Sequence, residues 1–177
     1  MKRTKYNLKA LLAKAHQMVE GVGIPLTPLA HITLKTSDSR RRWGYCSRQK
    51  NNNNFIIGIS NKTILLGSDA VLQVLVHELL HTVDGCFNHG AKWKMHASII
   101  NKNYGMNVSR VNSAEDMCEK EVANAIMEAD KKAAKYRIYC PTCGQEIFRF
   151  RKCKLVSLVD FYKCGKCMGK LKLEVRK

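Results

Sequence analysis

Four cysteines constrain the C-terminal part of this chain more tightly than any other feature. Cys140-Pro141-Thr142-Cys143 and Cys164-Gly165-Lys166-Cys167 are two Cys-x-x-Cys pairs with 20 residues between them, the spacing of a four-cysteine zinc site. Each pair closes a tight knuckle, and Gly144 and Gly165 are expected to ease the two turns. A segment of about forty residues buries too little apolar surface to fold unaided, and a structural zinc adds on the order of 10–16 kcal/mol of binding free energy to such a peptide. Ile147–Phe150 and Val159–Tyr162 are expected to supply the strands of a zinc ribbon. A redox role for the pairs would want a βαβ context that the sequence lacks. Cys153 falls between the knuckles as a bystander, and Cys46, Cys86 and Cys118, with no partner at ligand spacing, read as buried thiols.

Charge divides the chain at a similar place. The 177 residues carry 31 Lys+Arg against 14 Asp+Glu, a net charge of +17. Residues 1–130 hold 17 basic and 11 acidic side chains, whereas residues 131–177 hold 14 and 3, a net +11. Such an imbalance repels itself unless a polyanion is near, so the tail is expected to bind nucleic acid. The expected contacts are Arg149, Arg151, Lys152, Lys154, Lys163 and Lys166, with Arg40, Arg41, Arg42, Arg48 and Lys50 extending the surface. Phe148, Phe150, Phe161 and Tyr162 are interleaved with these cations; they could stack unpaired bases, but are read here as the ribbon's small core. No base-reading motif is visible, so binding should lack sequence preference and weaken with salt. The domains are expected to be residues 1–133 and 134–177. No apolar run approaches the roughly 18–20 residues that span a bilayer, and Lys9 and Lys14 interrupt any signal-peptide core. A soluble, cytoplasmic protein with no membrane partner is expected, association with the nucleoid staying open; free thiols suit that reducing setting.

Apolar spacing from Tyr6 to Val19, stopped by Gly21, Gly23 and Pro25, predicts an N-terminal helix. Ile32–Lys35, Arg42–Cys46 and Phe55–Ser60 read as strands of a small sheet, the last two forming a hairpin around a loop with Asn51, Asn52, Asn53 and Asn54. Ser68 or Asp69 is expected to cap a second helix whose stop signal is Gly85, and further helices are expected from Gly90 to Asn103 and through the acidic segment to Lys135.

On the second of these helices, His77-Glu78-Leu79-Leu80-His81 sets two imidazoles one turn apart on one face, within reach of a single zinc ion. Glu78 leans over the edge of that face, where it can take a proton from a zinc-activated water and return it to a leaving amine. The surrounding helix is strongly apolar, so two unliganded histidines and a glutamate would be costly to bury there. A histidine six residues after His81 would mark a metzincin, but that position is Phe87. The third ligand is therefore sought among His89, His96 and a carboxylate such as Glu115. His89 is favoured, because a short turn brings it back beside the helix, while His96 reads as a supporting or plainly packed residue.

The string His77-Glu78-Leu79-Leu80-His81 followed by His89-Gly90-Ala91-Lys92-Trp93-Lys94 resembles the SprT-like zinc metallopeptidase family, which includes the DNA-dependent protease Spartan. Gly44-Tyr45-Cys46-Ser47 and Phe55–Ser60 look like the segment that precedes the motif there, and many members carry a C-terminal ribbon of this kind. The resemblance implies a minigluzincin-like α+β fold, with a small antiparallel or mixed sheet packed on the motif helix, and makes His89 the third ligand. It also implies substrates that are proteins bound or crosslinked to DNA. Two zinc ions are expected, one catalytic and one structural. The competing expectation is a non-catalytic nucleic-acid-binding zinc protein whose peptidase-like domain is structural or regulatory.

Overall fold

The computed structural model describes residues 6–39, 41–50, 53–111 and 120–176. Arg40, Glu115 and Cys118, which figure in the expectations above, lie outside the described residues. Contacts divide the chain into two units, Met1–Ala123 and Asn124–Lys177, each with its own apolar core.

In the first unit, α1 (Leu8–Gly21) starts where the Asn7 side chain accepts the N–H groups of Lys9 and Ala10. Leu12, Ala15 and Val19 recur at three- and four-residue spacing and are buried on one face. Three strands follow, β1 (Ile32–Ser37), β2 (Gly44–Arg48) and β3 (Phe55–Ser60), in the order β1-β3-β2. The expected hairpin is present as the antiparallel β2–β3 pair, while β1 runs parallel to β3, so the sheet is mixed. Gly44 pairs with Ile59 and Cys46 with Ile57, which places both on the face that buries those isoleucines.

A short helix, α2 (Asn61–Leu66), is capped by the Ser60 hydroxyl and runs through a single residue into α3 (Ser68–Leu80). That tight junction moves the cap position to Gly67, one residue ahead of the expected Ser68, and Asp69 sits in the first turn, where its charge favours the helix dipole. All positions from Ala70 to Leu80 except His77 are buried, as befits a helix packed against α1, α2, β2, β3 and α4 (Ala91–Tyr104). The helix ends at Leu80 rather than near Gly85. From there Thr82, Val83 and Cys86 bond to carbonyls three residues back, which tightens the chain into a bend and redirects it toward α4. Among the described residues no helix is long and apolar enough to cross a membrane.

The second unit joins most of α5 (Lys120–Ala133) to an antiparallel sheet of β4 (Tyr136–Tyr139), β5 (Glu146–Arg149) and β6 (Lys172–Val175) in the order β5-β4-β6. Two expectations are corrected here. Val159–Phe161 is a 3₁₀ turn following the short α6 (Lys154–Ser157), not a strand, because Val156 and Val159 both point into the core and three-residue spacing requires helical winding. The core is built from Ile138, Val156, Val159 and Leu171 with Cys140 and Cys164, and the aromatics do not form it: Phe161 is 85% exposed.

Candidate metal centre

His77 lies in the last turn of α3 and His81 caps its C-terminal end, and the bend that follows brings His89, just ahead of α4, back to face them. His89 Nε2 lies 3.1 Å from His77 Nε2, and one nitrogen from each of the three rings lies within 4.8 Å of the others. Carbonyl oxygens decide the tautomers. His77 Nδ1 is 3.0 Å from the Ser109 oxygen and His81 Nδ1 is 2.9 Å from the Cys86 oxygen; a carbonyl can only accept, so Nδ1 carries the proton and Nε2 keeps its lone pair. Burial, followed by the neighbouring imidazoles, lowers the pKa of His77 to about 4, and burial likewise lowers those of His81 and His89. All three rings are thus neutral, the form that binds a cation. Tetrahedral zinc–nitrogen bonds of roughly 2.0–2.1 Å set ligand nitrogens roughly 3.3–3.4 Å apart, so this crowd of lone pairs fits one such ion.

Behind the rings stands Trp93 of α4, only 1% exposed. Its indole centroid lies 4.8, 5.7 and 4.6 Å from those of His77, His81 and His89, so one wedge supports all three. Glu78 lies outside the imidazole cluster, against β2. A Cβ placed on Gly44 would come within 2.9 Å of Glu78 Oε1 and 2.6 Å of Val74 Cγ1, so the strand approaches this close only because residue 44 has no side chain. Burial raises the Glu78 pKa to about 8, with the Arg42 guanidinium pulling the other way. Burial and then the Glu78 carboxylate push the Cys46 thiol up to about 12.

Residues 8–114, which contain this whole arrangement, match the model of the SprT-like family. The chain belongs to the SprT-like family. No curated protein matches it. The match includes α1 to α4, so the four-cysteine tail lies beyond the SprT-like region.

Several sequence expectations for the SprT-like unit can now be located. His89 joins His77 and His81, whereas His96 does not: it is buried on α4 with no hydrogen-bond partner for either ring nitrogen among the described residues. Cys86 is fully buried and serves through its carbonyl, not its thiol. The supports supplied by Ser109, Trp93 and Gly44 were not anticipated. Trp93 follows His89 by four residues and Gly44 opens a strand, and both stand in the strings that carry the family resemblance, but neither position by itself tells what the residue packs against.

In the tail of this SprT-like chain, Cys140, Cys143, Cys164 and Cys167 also gather within 4.8 Å, with Sγ–Sγ distances of 3.4 Å for Cys140–Cys167 and 3.5 Å for Cys143–Cys164. A Cβ on Gly169 would meet Thr142 Oγ1 at 2.9 Å and the Cys140 and Cys167 sulfurs at 3.2 and 3.3 Å, so the backbone of this residue closes directly over the thiol cluster. Burial opposes ionisation of Cys140, but the N–H groups of Cys143 and Thr142 and the Cys167 thiol bring its pKa down to about 6. The Gly169 N–H favours a Cys167 thiolate, yet the sulfurs of Cys143 and Cys140 push that pKa up to about 12. Four cysteine sulfurs converging at this spacing form a donor set that suits zinc.

The knuckles differ from the expectation in one respect. Gly144 takes a left-handed conformation in the first, but in the second that role falls to Met168, with φ 59°, and not to Gly165. Met168 and Gly144 each bond through N–H to the carbonyl of the first cysteine of their knuckle, four residues back, and that closure sets the conformation. Arg149, Arg151, Lys152, Lys154, Lys163 and Lys166 are all exposed, and none forms an ion pair with another described residue.

Proposed function

We propose that this SprT-like protein is a zinc-dependent endopeptidase acting on proteins bound or crosslinked to DNA. The observation that carries the reading is the convergence of one ring nitrogen each from His77, His81 and His89 beside the buried carboxyl group of Glu78, which is not among the converging groups. Bound to the three imidazoles, zinc would supply Lewis acidity and draw the pKa of water at its fourth position toward about 7. Glu78, with its carboxyl group buried between α3 and β2, would accept the proton of the attacking water and pass it to the departing amine. Gly44 keeps the carboxyl group in place, and Ser109 and Cys86 hold the rings in the ligand tautomer. The four cysteines would hold a second, structural zinc.

The DNA part of the reading is supported by the exposed cations Arg149, Arg151, Lys152, Lys154, Lys163 and Lys166 of the second unit and by Phe161, exposed two residues before Lys163. Cations follow a phosphate backbone without regard to sequence, and an exposed ring offers a stacking surface for an unpaired base. Holding the enzyme on DNA raises the effective concentration of protein carried by the same strand. Work on such substrates fits a cytoplasmic or nucleoid location.

Replacement of Glu78 by Gln tests the reading. The variant should keep about two zinc ions per chain and the wild-type DNA affinity while losing cleavage of a DNA-bound protein. Undiminished cleavage would remove the peptidase mechanism.

A further inference from the structure

A cavity of about 790 Å³ opens beside the histidine cluster, with His81 itself in its wall. Pro25, Leu26 and Pro28 line it from the segment after α1, Phe55 from the start of β3, and Val83 and Phe87 from the bend between α3 and α4. These walls are tied together: the Thr27 hydroxyl donates to the Thr82 carbonyl at 3.2 Å, and His16 Nε2 donates to the Thr27 carbonyl at 2.9 Å. The same bend presents the Cys86 carbonyl that orients His81.

Charged groups on the cavity are Arg48 and Asp84, both exposed and of opposite sign, so they favour neither a cationic nor an anionic occupant. Arg48 already donates to Asn53 Oδ1, and the His31 ring is hydrogen-bonded to Asn54 Oδ1. The most exposed apolar side chain of the wall is Phe87, which leaves 60% of its surface to solvent. Thr27, His31, Asn53 and Thr82 also line the cavity, so apolar side chains share the wall with polar ones, and a volume in this range can take a bound side chain.

We infer that this cavity receives a large apolar side chain of the polypeptide substrate and selects such residues close to the bond that is cut. The inference rests on the hydrolase reading, since His81 links the cavity to the reacting atoms. An occupant against His81 lies within a residue or two of the scissile peptide, and burying its side chain against Leu26, Phe55 and Phe87 supplies the discrimination.

The test digests a peptide library, randomised around a central segment, with the zinc-loaded full chain and with its Phe87→Glu variant. Phe87 is exposed, so the change should leave fold and zinc content intact. The wild type should enrich Phe, Leu or Met at one position within two residues of the cut, and Phe87→Glu should lower that preference about tenfold relative to peptides with Ser there. Cleavage without preference, a preference for a charged residue, or an unchanged preference in the variant each overturns the inference. Should no peptide be cut, the hydrolase reading fails separately, and fluorescence anisotropy of a labelled Phe-containing peptide decides about the cavity. Binding at least about tenfold weaker to Phe87→Glu, and at least about tenfold weaker when Ser replaces Phe, would sustain it; equal binding would overturn it.

Discussion

Gly44 and Glu78 are packed so closely that a single methyl group on the former would press within 2.9 Å of the carboxylate oxygen of the latter. Gly44→Ala should therefore displace the proposed general base without removing any ligand. Activity is expected to fall about a hundredfold while zinc content holds, with about 1–3 kcal/mol of stability lost because Val74 is crowded as well. Kinetics beside metal analysis checks this, and full activity would mean that the position of Glu78 does not matter.

Acid should weaken the metal-free protein through His77. Its folded-state pKa of about 4 lies below the ordinary value of about 6.5, so between these pH values the unfolded chain binds a proton that the folded chain does not. The contribution is present above pH 6.5 and is lost as pH falls toward 4, amounting to no more than about 3 kcal/mol. Glu78 acts in the opposite direction, since its raised pKa makes the folded state the better proton binder between about 4.5 and 8. The informative quantity is thus a difference: stripped of zinc, His77→Gln should lose less stability than wild type on going from pH 6.5 to 4. Both tryptophans, Trp43 and Trp93, lie in the first unit, so their emission reports its unfolding.

Met168 is the only non-glycine residue with positive φ among those described, and its side chain is 66% exposed. Replacing it by glycine relieves about 1–2 kcal/mol of left-handed strain and returns part of that as extra freedom of the unfolded chain. Met168→Gly is expected to stabilise the second unit by about 0.5–1 kcal/mol, read as slower zinc release to a chelator. Faster release would show that the strain is illusory.

Removing Arg151 and Lys152 as glutamines should reduce the dependence of log affinity on log salt by about 0.7 per charge on single-stranded DNA. Phe161→Ala should instead lose about 1–3 kcal/mol on single strands and little on duplex, because only unpaired bases offer a face to stack. Titrations at several salt concentrations separate the two. A salt slope indifferent to both charges would move the binding surface elsewhere.

The features legible in the sequence are those whose geometry is local. His77 and His81 are set by one helical turn, and each cysteine pair by one knuckle, so spacing alone brought them together. Features decided by distant packing were not legible: the parallel register of β1 on β3, the place of Gly44 against Glu78, and Trp93 behind three rings from two other segments. Val159–Tyr162 was misread because β-branched and aromatic residues suggest a strand, whereas the burial of Val156 and Val159 demanded a helical offset. The left-handed residue of the second knuckle was assigned to the nearest glycine, but closure onto the Cys164 carbonyl put it at Met168.

The imidazoles of the first unit are braced by two carbonyls and an indole, and their helix is anchored in a broad apolar interior; the sulfurs of the second have only a handful of aliphatic side chains around them. Withdrawing zinc from the two proposed sites should therefore have unequal consequences. A chelator would leave the histidine scaffold standing and ready to be recharged, a reversible pause, while the cysteine module would come apart and take the proposed grip on nucleic acid with it.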